Sequence, residues 1–121
     1  MLTPSDVYTQ FLLITQPADD KETQIIVSLC KNGLDWVMKH VKREISRDDI
    51  RISQAAAGIA YYDYAMSKLT DSGDPRYFKA GDVTVQKKIQ EDILVAEKIK
   101  KSRLDAIVDI LEDTSFGAWN V

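Results

Sequence analysis

The amino-acid sequence predicts an all-α fold: a small bundle of three long helices, a short N-terminal helix before them, and an ordered loop before the last one. Apolar residues recur at steps of three and four along most of the chain, which is the period of an amphipathic helix. Only three prolines interrupt these stretches. The length of 121 residues and a hydrophobic content of 45% fit one folded domain, residues 1–121.

The first predicted helix is short and starts at Pro4. Proline suits the first helical turn, Thr3 fits the N-cap, and Asp6 can accept a hydrogen bond from the free amide groups there. The apolar face of this helix is formed by Val7, Phe11 and Ile14. Residues 16–20, Gln-Pro-Ala-Asp-Asp, then end the helix and cap the next one.

The second predicted helix spans residues 21–45. Its apolar side chains stand at 25, 26, 29, 30, 34, 37, 38 and 41 and form one wide stripe. Gly33 lies inside the helix, where glycine costs about 1 kcal/mol relative to alanine. Two interpretations of this glycine are open, a close contact with a neighbouring helix or a slight break.

The third predicted helix begins near Ser46 or Asp48 and runs to about Leu69. One side of it is apolar at Ile52, Ala55, Ile59, Tyr62, Met66 and Leu69. The opposite side carries Ala57, Ala60, Tyr61 and Tyr64. A helix that is apolar on both sides is buried on both sides. We therefore expect a central helix, or a helix that a neighbouring subunit also covers.

Turn-forming residues at 70–75 end the third helix. The stretch Tyr77–Val85 follows, and its final Val-Thr-Val favours extended structure, so we expect an ordered loop with at most a short strand. The last predicted helix spans about Gln86 to Glu112. Lys100 and Arg103 project onto its apolar stripe, which predicts that the middle of this helix leaves the core, bends, or meets a partner.

The sequence offers little for catalysis. Cys30 and His40 are the only cysteine and histidine, and ten helical residues would separate them by about 15 Å along the axis, too far for a catalytic pair. We expect a buried thiol and a surface histidine. No glycine-rich phosphate loop and no nucleophile motif is present. The sequence therefore predicts a protein that is not an enzyme and has no cofactor, although a site assembled from distant residues would leave no motif.

Carboxylates occur in pairs at two predicted helix starts, at 19–20 and 48–49. We interpret them as helix caps rather than as paired catalytic groups, because a carboxylate there satisfies free amide groups. The aspartates around the loop are Asp71, Asp74 and Asp82, and their spacing matches no calcium-binding loop. We predict no metal site.

Charge is segregated along the chain, although the net charge of −3 disfavours a dedicated nucleic-acid-binding protein. One basic cluster contains Lys39, Lys42, Arg43, Arg47 and Arg51, and a second contains Lys98, Lys100, Lys101 and Arg103. Acidic residues follow at Asp105, Asp109, Glu112 and Asp113. These clusters form a solvated face, a contact with phosphates or an acidic partner, or the complementary halves of a head-to-tail subunit contact.

The first six residues lack a basic signal-peptide region, and the apolar runs are far shorter than the ~20 residues that cross a bilayer. We therefore expect a soluble cytoplasmic protein with no membrane partner.

Two segments resemble a known family. They are the Ala- and Tyr-rich stretch at 54–66, Gln-Ala-Ala-Ala-Gly-Ile-Ala-Tyr-Tyr-Asp-Tyr-Ala-Met, and the loop at 78–85, Phe-Lys-Ala-Gly-Asp-Val-Thr-Val. With the long charged helix and the tail Asp-Thr-Ser-Phe at 113–116, their order resembles the small head–tail connector, or adaptor, proteins of long-tailed phages and prophages. The resemblance covers roughly residues 22–121. It implies a structural, non-catalytic subunit that packs in a ring beneath the portal, in the bacterial cytoplasm and then in the virion.

The partners implied by this resemblance are other copies of the chain and the portal or a neighbouring head–tail protein. The interface residues that we predict from the resemblance, the tyrosines and the charge pattern are Tyr61, Tyr64, Phe78, Gly81, Asp82, Lys100, Arg103, Phe116 and Trp119. The alternative hypothesis is a small helical nucleic-acid-associated or regulatory protein that uses the basic corner around Arg47. We expect no sequence-specific nucleic-acid binding.

Overall fold

The computed structural model describes residues 2–72 and 82–111 and confirms the all-α class for them. Helix α1 spans Pro4–Leu12, α2 spans Asp20–His40, α3 spans Ile50–Ser72 and α4 spans Asp82–Ala106. A single 3-10 turn, Val108–Ile110, follows α4.

Carboxylates close the starts of the first three helices, as expected. The backbone amide of Thr3 donates to the Asp6 carboxylate at 2.7 Å. Asp19, from the first aspartate pair, accepts a 2.8 Å hydrogen bond from the backbone amide of Glu22. Asp49, from the second pair, accepts a 3.0 Å hydrogen bond from the backbone amide of Arg51. The capping interpretation is confirmed for Asp6, Asp19 and Asp49, since each satisfies an amide group that the helix itself leaves free.

Helix α3 is the centre of the bundle and packs against α1, α2 and α4. Both of its sides contribute to the core, through Ile52, Ala55, Ala56, Ala57, Ile59, Ala60 and Tyr64. The Phe11 ring of α1 meets the rings of Tyr61 and Tyr64 edge-on, at centroid distances of 6.0 and 5.8 Å. The expectation of a central helix is confirmed. Because the chain's own helices cover both sides of α3, its two-sided apolar pattern does not require a second subunit.

Small residues set the distances between these helices. A Cβ built at Gly33 of α2 would lie 2.6 Å from the carbonyl oxygen of Ala56 in α3, inside van der Waals contact. On the other side of α3, a Cβ at Gly58 would lie 3.1 Å from Cδ of Arg103 in α4. Helix α2 continues through Gly33. The close-contact interpretation of this glycine is therefore correct, and the break is not observed.

The predicted end of the second helix at residue 45 is wrong, because α2 ends at His40. Val41 is extended and forms an isolated antiparallel bridge with Leu111, and the amide of Lys42 donates to the carbonyl of Ile110 at 2.9 Å. Val41 remains buried, which explains why the apolar pattern continued past the true end. The third helix also begins later than predicted, at Ile50, and ends at Ser72.

Both ends of the last predicted helix need correction. Residues 83–85, expected to be extended, lie in the first turn of α4, which begins at Asp82. Valine and threonine favour strands only weakly, and a long helix overrides that preference. At the other end α4 stops at Ala106, and the 3-10 turn leads the chain into the bridge at Leu111. Of the expected loop at 77–85, residues 82–85 belong to α4 and residues 77–81 lie outside the described residues.

We predict that Gly33→Ala lowers the free energy of unfolding by about 1–3 kcal/mol, because the new methyl group meets a backbone oxygen that cannot move without shifting α3. Gly58→Ala is the comparison. Its methyl group meets a flexible arginine stem, and alanine favours a helix by about 1 kcal/mol over glycine, so this variant should stay close to wild type. Urea unfolding followed by circular dichroism measures both. A Gly33→Ala variant as stable as Gly58→Ala would contradict the close α2–α3 contact.

Candidate interaction surface

The candidate nucleophile is inert. Cys30 is fully buried in the core, and burial raises the pKa of its thiol to about 12. A thiol that stays protonated at neutral pH is a poor nucleophile and a poor metal ligand. The prediction of a buried cysteine is confirmed.

His40 is half-buried and not the free surface residue we expected. Its Nδ1 lies 2.7 Å from the carbonyl oxygen of Trp36, one turn earlier in α2, and its ring stacks on the indole at a centroid distance of 4.2 Å. Both contacts are local to one helix. They fix the orientation of the imidazole on its own helix.

No group of three or more metal-ligating side chains occurs within the described parts of the chain. In the same parts, no helix is both long and apolar enough to span a bilayer.

The predicted interface residues fall into three groups. Tyr64 is 6% exposed and belongs to the chain's own core, and Tyr61 packs beside it against Phe11. Lys100 and Arg103 lie on α4, where the structure brings them together against α3. The remaining predictions cannot be placed in the same way: Asp82 is the first residue of α4, and Phe78, Gly81, Phe116 and Trp119 lie outside the described residues.

Arg103 sits at the seam between α3 and α4. Its Nη1 donates to the carbonyl oxygen of Gln54 in α3 at 2.8 Å, and its stem packs over Gly58. Burial lowers the pKa of the guanidinium below its ordinary value. Helix α4 neither bends away nor leaves the core here, since Ala96 and Leu104 on either side are buried. The contact between α3 and α4 therefore explains why Arg103 lies on the apolar stripe of α4.

Lys100 occupies the same seam one turn earlier. Its Nζ lies 4.5 Å from the centre of the Tyr62 ring, a distance at which a cation is attracted to the ring face. Asp63, the next residue of α3, is half-buried, and burial raises the pKa of its carboxyl while the Lys100 charge lowers it by less. The seam thus holds two cations and one partly desolvated carboxylate.

A shallow groove of about 320 Å³ opens on the α4 side of this seam, and its described lining consists of Val95, Lys98, Ile99, Ser102 and Arg103. Val95 is 51% exposed, and the adjacent Leu94 is 57% exposed. The groove therefore combines apolar walls with two cationic side chains and one hydroxyl. We call it the α4 groove.

The basic corner is partly neutralised within the chain. Lys42 Nζ donates to the carbonyl of Asp109 at 3.0 Å. Arg51 pairs with Asp49 at 2.8 Å and lies 4.0 Å from the Asp109 carboxylate. Nη1 of Arg47 is buried and has no hydrogen-bond partner in the parts of the chain that the structure describes. Some of the opposite charges that suggested a contact between subunits therefore meet inside one subunit.

Sequence reasoning missed Gly58, Asp63 and the Gln54 carbonyl. The signal for Gly58 was available, because a glycine inside an Ala-rich helix indicates a close neighbour. A backbone carbonyl and a half-buried carboxylate leave no such signal, because their roles depend on which residues α4 places opposite them.

We predict that Asp63→Asn is more stable than wild type at pH 7, and that the advantage disappears as the pH falls. The folded state holds the pKa of Asp63 above its ordinary value, so its stabilising contribution is complete below the unfolded pKa and is lost as the pH rises through the folded one. Unfolding curves from pH 3 to pH 8 measure this. The control is Asp35→Asn, at an exposed position of α2. A pH-independent difference between Asp63→Asn and wild type would contradict the desolvation of this carboxyl.

The α4 groove thus combines apolar and cationic side chains. Comparison of the chain with protein-family models, with curated proteins and with solved structures gave no match.

Proposed function

We propose that this chain is a structural, non-catalytic subunit of a phage or prophage head–tail connector, which packs side by side with other copies in a ring beneath the portal. The observation that carries the proposal is the position of α4. Among the described helices, this helix of 25 residues packs extensively against α3 alone. Much of its surface is left open, including the exposed side chains of Leu94 and Val95.

A second exposed apolar site supports contacts of the head-to-tail kind. Ile25 and Val27 of α2 are 45% and 40% exposed. Helices α2 and α4 each pack on α3 but not extensively on each other, so the two sites belong to different parts of the bundle surface. A ring forms when one surface of a subunit meets a different surface of the next.

Two of the sequence arguments for assembly are weaker than the sequence suggested. The apolar sides of α3 are covered within the chain, and Asp109 is engaged by Lys42 and Arg51 of the same chain. The proposal therefore rests on the open surface of α4 and on the resemblance of segments 54–66 and 78–85 to connector proteins.

The second candidate, a nucleic-acid-associated or regulatory protein, is favoured by one observation. Nη1 of Arg47 is buried without an acceptor among the described residues, and Arg43, four residues earlier, is exposed. An anionic group from a ligand would satisfy such a donor. Against this, Lys42 and Arg51 of the same corner are already bonded to acidic residues or their backbone.

We predict that the chain forms rings or binds the portal when it is mixed with the portal of the same phage or prophage, as seen by electron microscopy or native mass spectrometry. Leu94→Asp should weaken this association roughly tenfold or more, since each 1.4 kcal/mol of lost contact is a factor of ten. Ser5→Asp, at an exposed position of α1, is the control. A folded chain that neither assembles nor binds the portal would rule out the connector function.

We also predict only weak, salt-sensitive binding to DNA in a gel-shift assay at physiological salt. The net charge is −3, and phosphate contacts without base recognition weaken steeply as salt increases. Tight, sequence-dependent binding that is lost in Arg47→Gln would support the regulatory alternative instead.

A further inference from the structure

The α4 groove contains positive charge that the described residues do not neutralise. Arg103 uses one N–H for the Gln54 carbonyl, and a guanidinium has five. The ion pairs of the described residues involve Arg51, Asp49 and Asp109, and none involves Arg103 or Lys98. A half-buried guanidinium without a carboxylate is suited to accept one, because its planar donors match the two carboxylate oxygens.

The apolar walls of the groove determine which carboxylate-bearing ligand fits it. Val95 and Ile99 are apolar and lie beside the two cations. A ligand that fills the groove therefore needs a large apolar side chain close to its negative charge. A nucleic-acid backbone does not fit this requirement, because its phosphates carry no large apolar group beside the charge.

We propose that the α4 groove binds an acidic segment with a neighbouring aromatic side chain, and that a second copy of this chain supplies it through residues 112–121. This proposal rests on the proposed function, of which it names one subunit contact. Residues 112–121 read Glu-Asp-Thr-Ser-Phe-Gly-Ala-Trp-Asn-Val. They combine two carboxylates with two aromatic residues and so have the required chemistry.

Reach and symmetry agree with this assignment. The segment follows Leu111, which is held against Val41 by the antiparallel bridge. Ten residues extend up to about 33 Å, enough to cross from one small domain to another. Because every copy has one groove and one segment, the contact is heterologous and propagates from copy to copy.

Complementary variants of the full-length chain test the proposal. The first carries Lys98→Glu, which damages the groove and keeps the segment. The second carries Glu112→Gln and Asp113→Asn, which remove the charge of the segment and keep the groove. Each variant alone should self-associate roughly tenfold more weakly than wild type or worse. An equimolar mixture should form a 1:1 heterodimer, because one intact groove meets one intact segment. Native mass spectrometry and analytical ultracentrifugation measure both results.

The matched control is Lys87→Glu, the same charge change at an exposed position of α4. It lies about 16 Å along the helix axis from Lys98 and should self-associate like wild type. Arg103→Gln is a second groove variant, and circular dichroism checks that it folds. Arg103→Gln should also form a heterodimer with the second variant, because its intact segment meets the intact groove of that variant.

A mixture that stays monomeric while both variants remain helical would overturn the proposal. Equal weakening by Lys87→Glu and Lys98→Glu would also overturn it, because it would show a general charge effect. Failure of the groove and failure of the connector function are distinguishable. If Lys98→Glu self-associates like wild type and the chain still binds the portal, the groove contact is refuted and the connector function is not. If the two variants form the heterodimer but the wild-type chain does not bind the portal, the connector function is refuted and the groove contact is not.

Discussion

The structure depends on how closely α2 and α4 approach α3. At Gly33 the backbone of α2 meets the carbonyl oxygen of Ala56 in α3, and at Gly58 the flexible stem of Arg103 from α4 lies over the backbone of α3. With a larger residue at Gly33, α2 and α3 could not approach so closely, and the core of so short a chain would contain voids. Close packing of this kind converts modest apolar area into stability, because each buried atom keeps its full set of contacts.

The same constraint explains the cation at the seam. Gly58 leaves space over which the Arg103 stem lies, and the guanidinium then reaches the Gln54 carbonyl one turn earlier in α3. A half-buried charge is tolerated when it is hydrogen-bonded and its edge remains open to solvent or to a ligand. The α4 groove is therefore a consequence of how α3 and α4 pack, and its cationic character is built into the seam.

The bridge between Val41 and Leu111 closes the other end of the molecule. It ends α2 and brings Asp109 to Lys42 and Arg51. The backbone carbonyl of Asp109 accepts from Lys42, and its carboxylate lies 4.0 Å from Arg51. Apolar side chains stay exposed elsewhere on the described surface, at Leu94 and Val95 of α4 and at Ile25 and Val27 of α2.

The sequence by itself determined the helical class, the capping residues Asp6, Asp19 and Asp49, and the burial of α3 on both sides, by this chain or by a neighbouring one, because these depend on local periodicity and on side chains close in sequence. Tertiary structure decided where α2 and α4 end, since the Val41–Leu111 bridge joins residues 70 positions apart. It also decided the role of Arg103. The helical projection showed a cation on an apolar stripe, but only the packing of α4 on Gly58 shows which carbonyl binds it and which groove it lines.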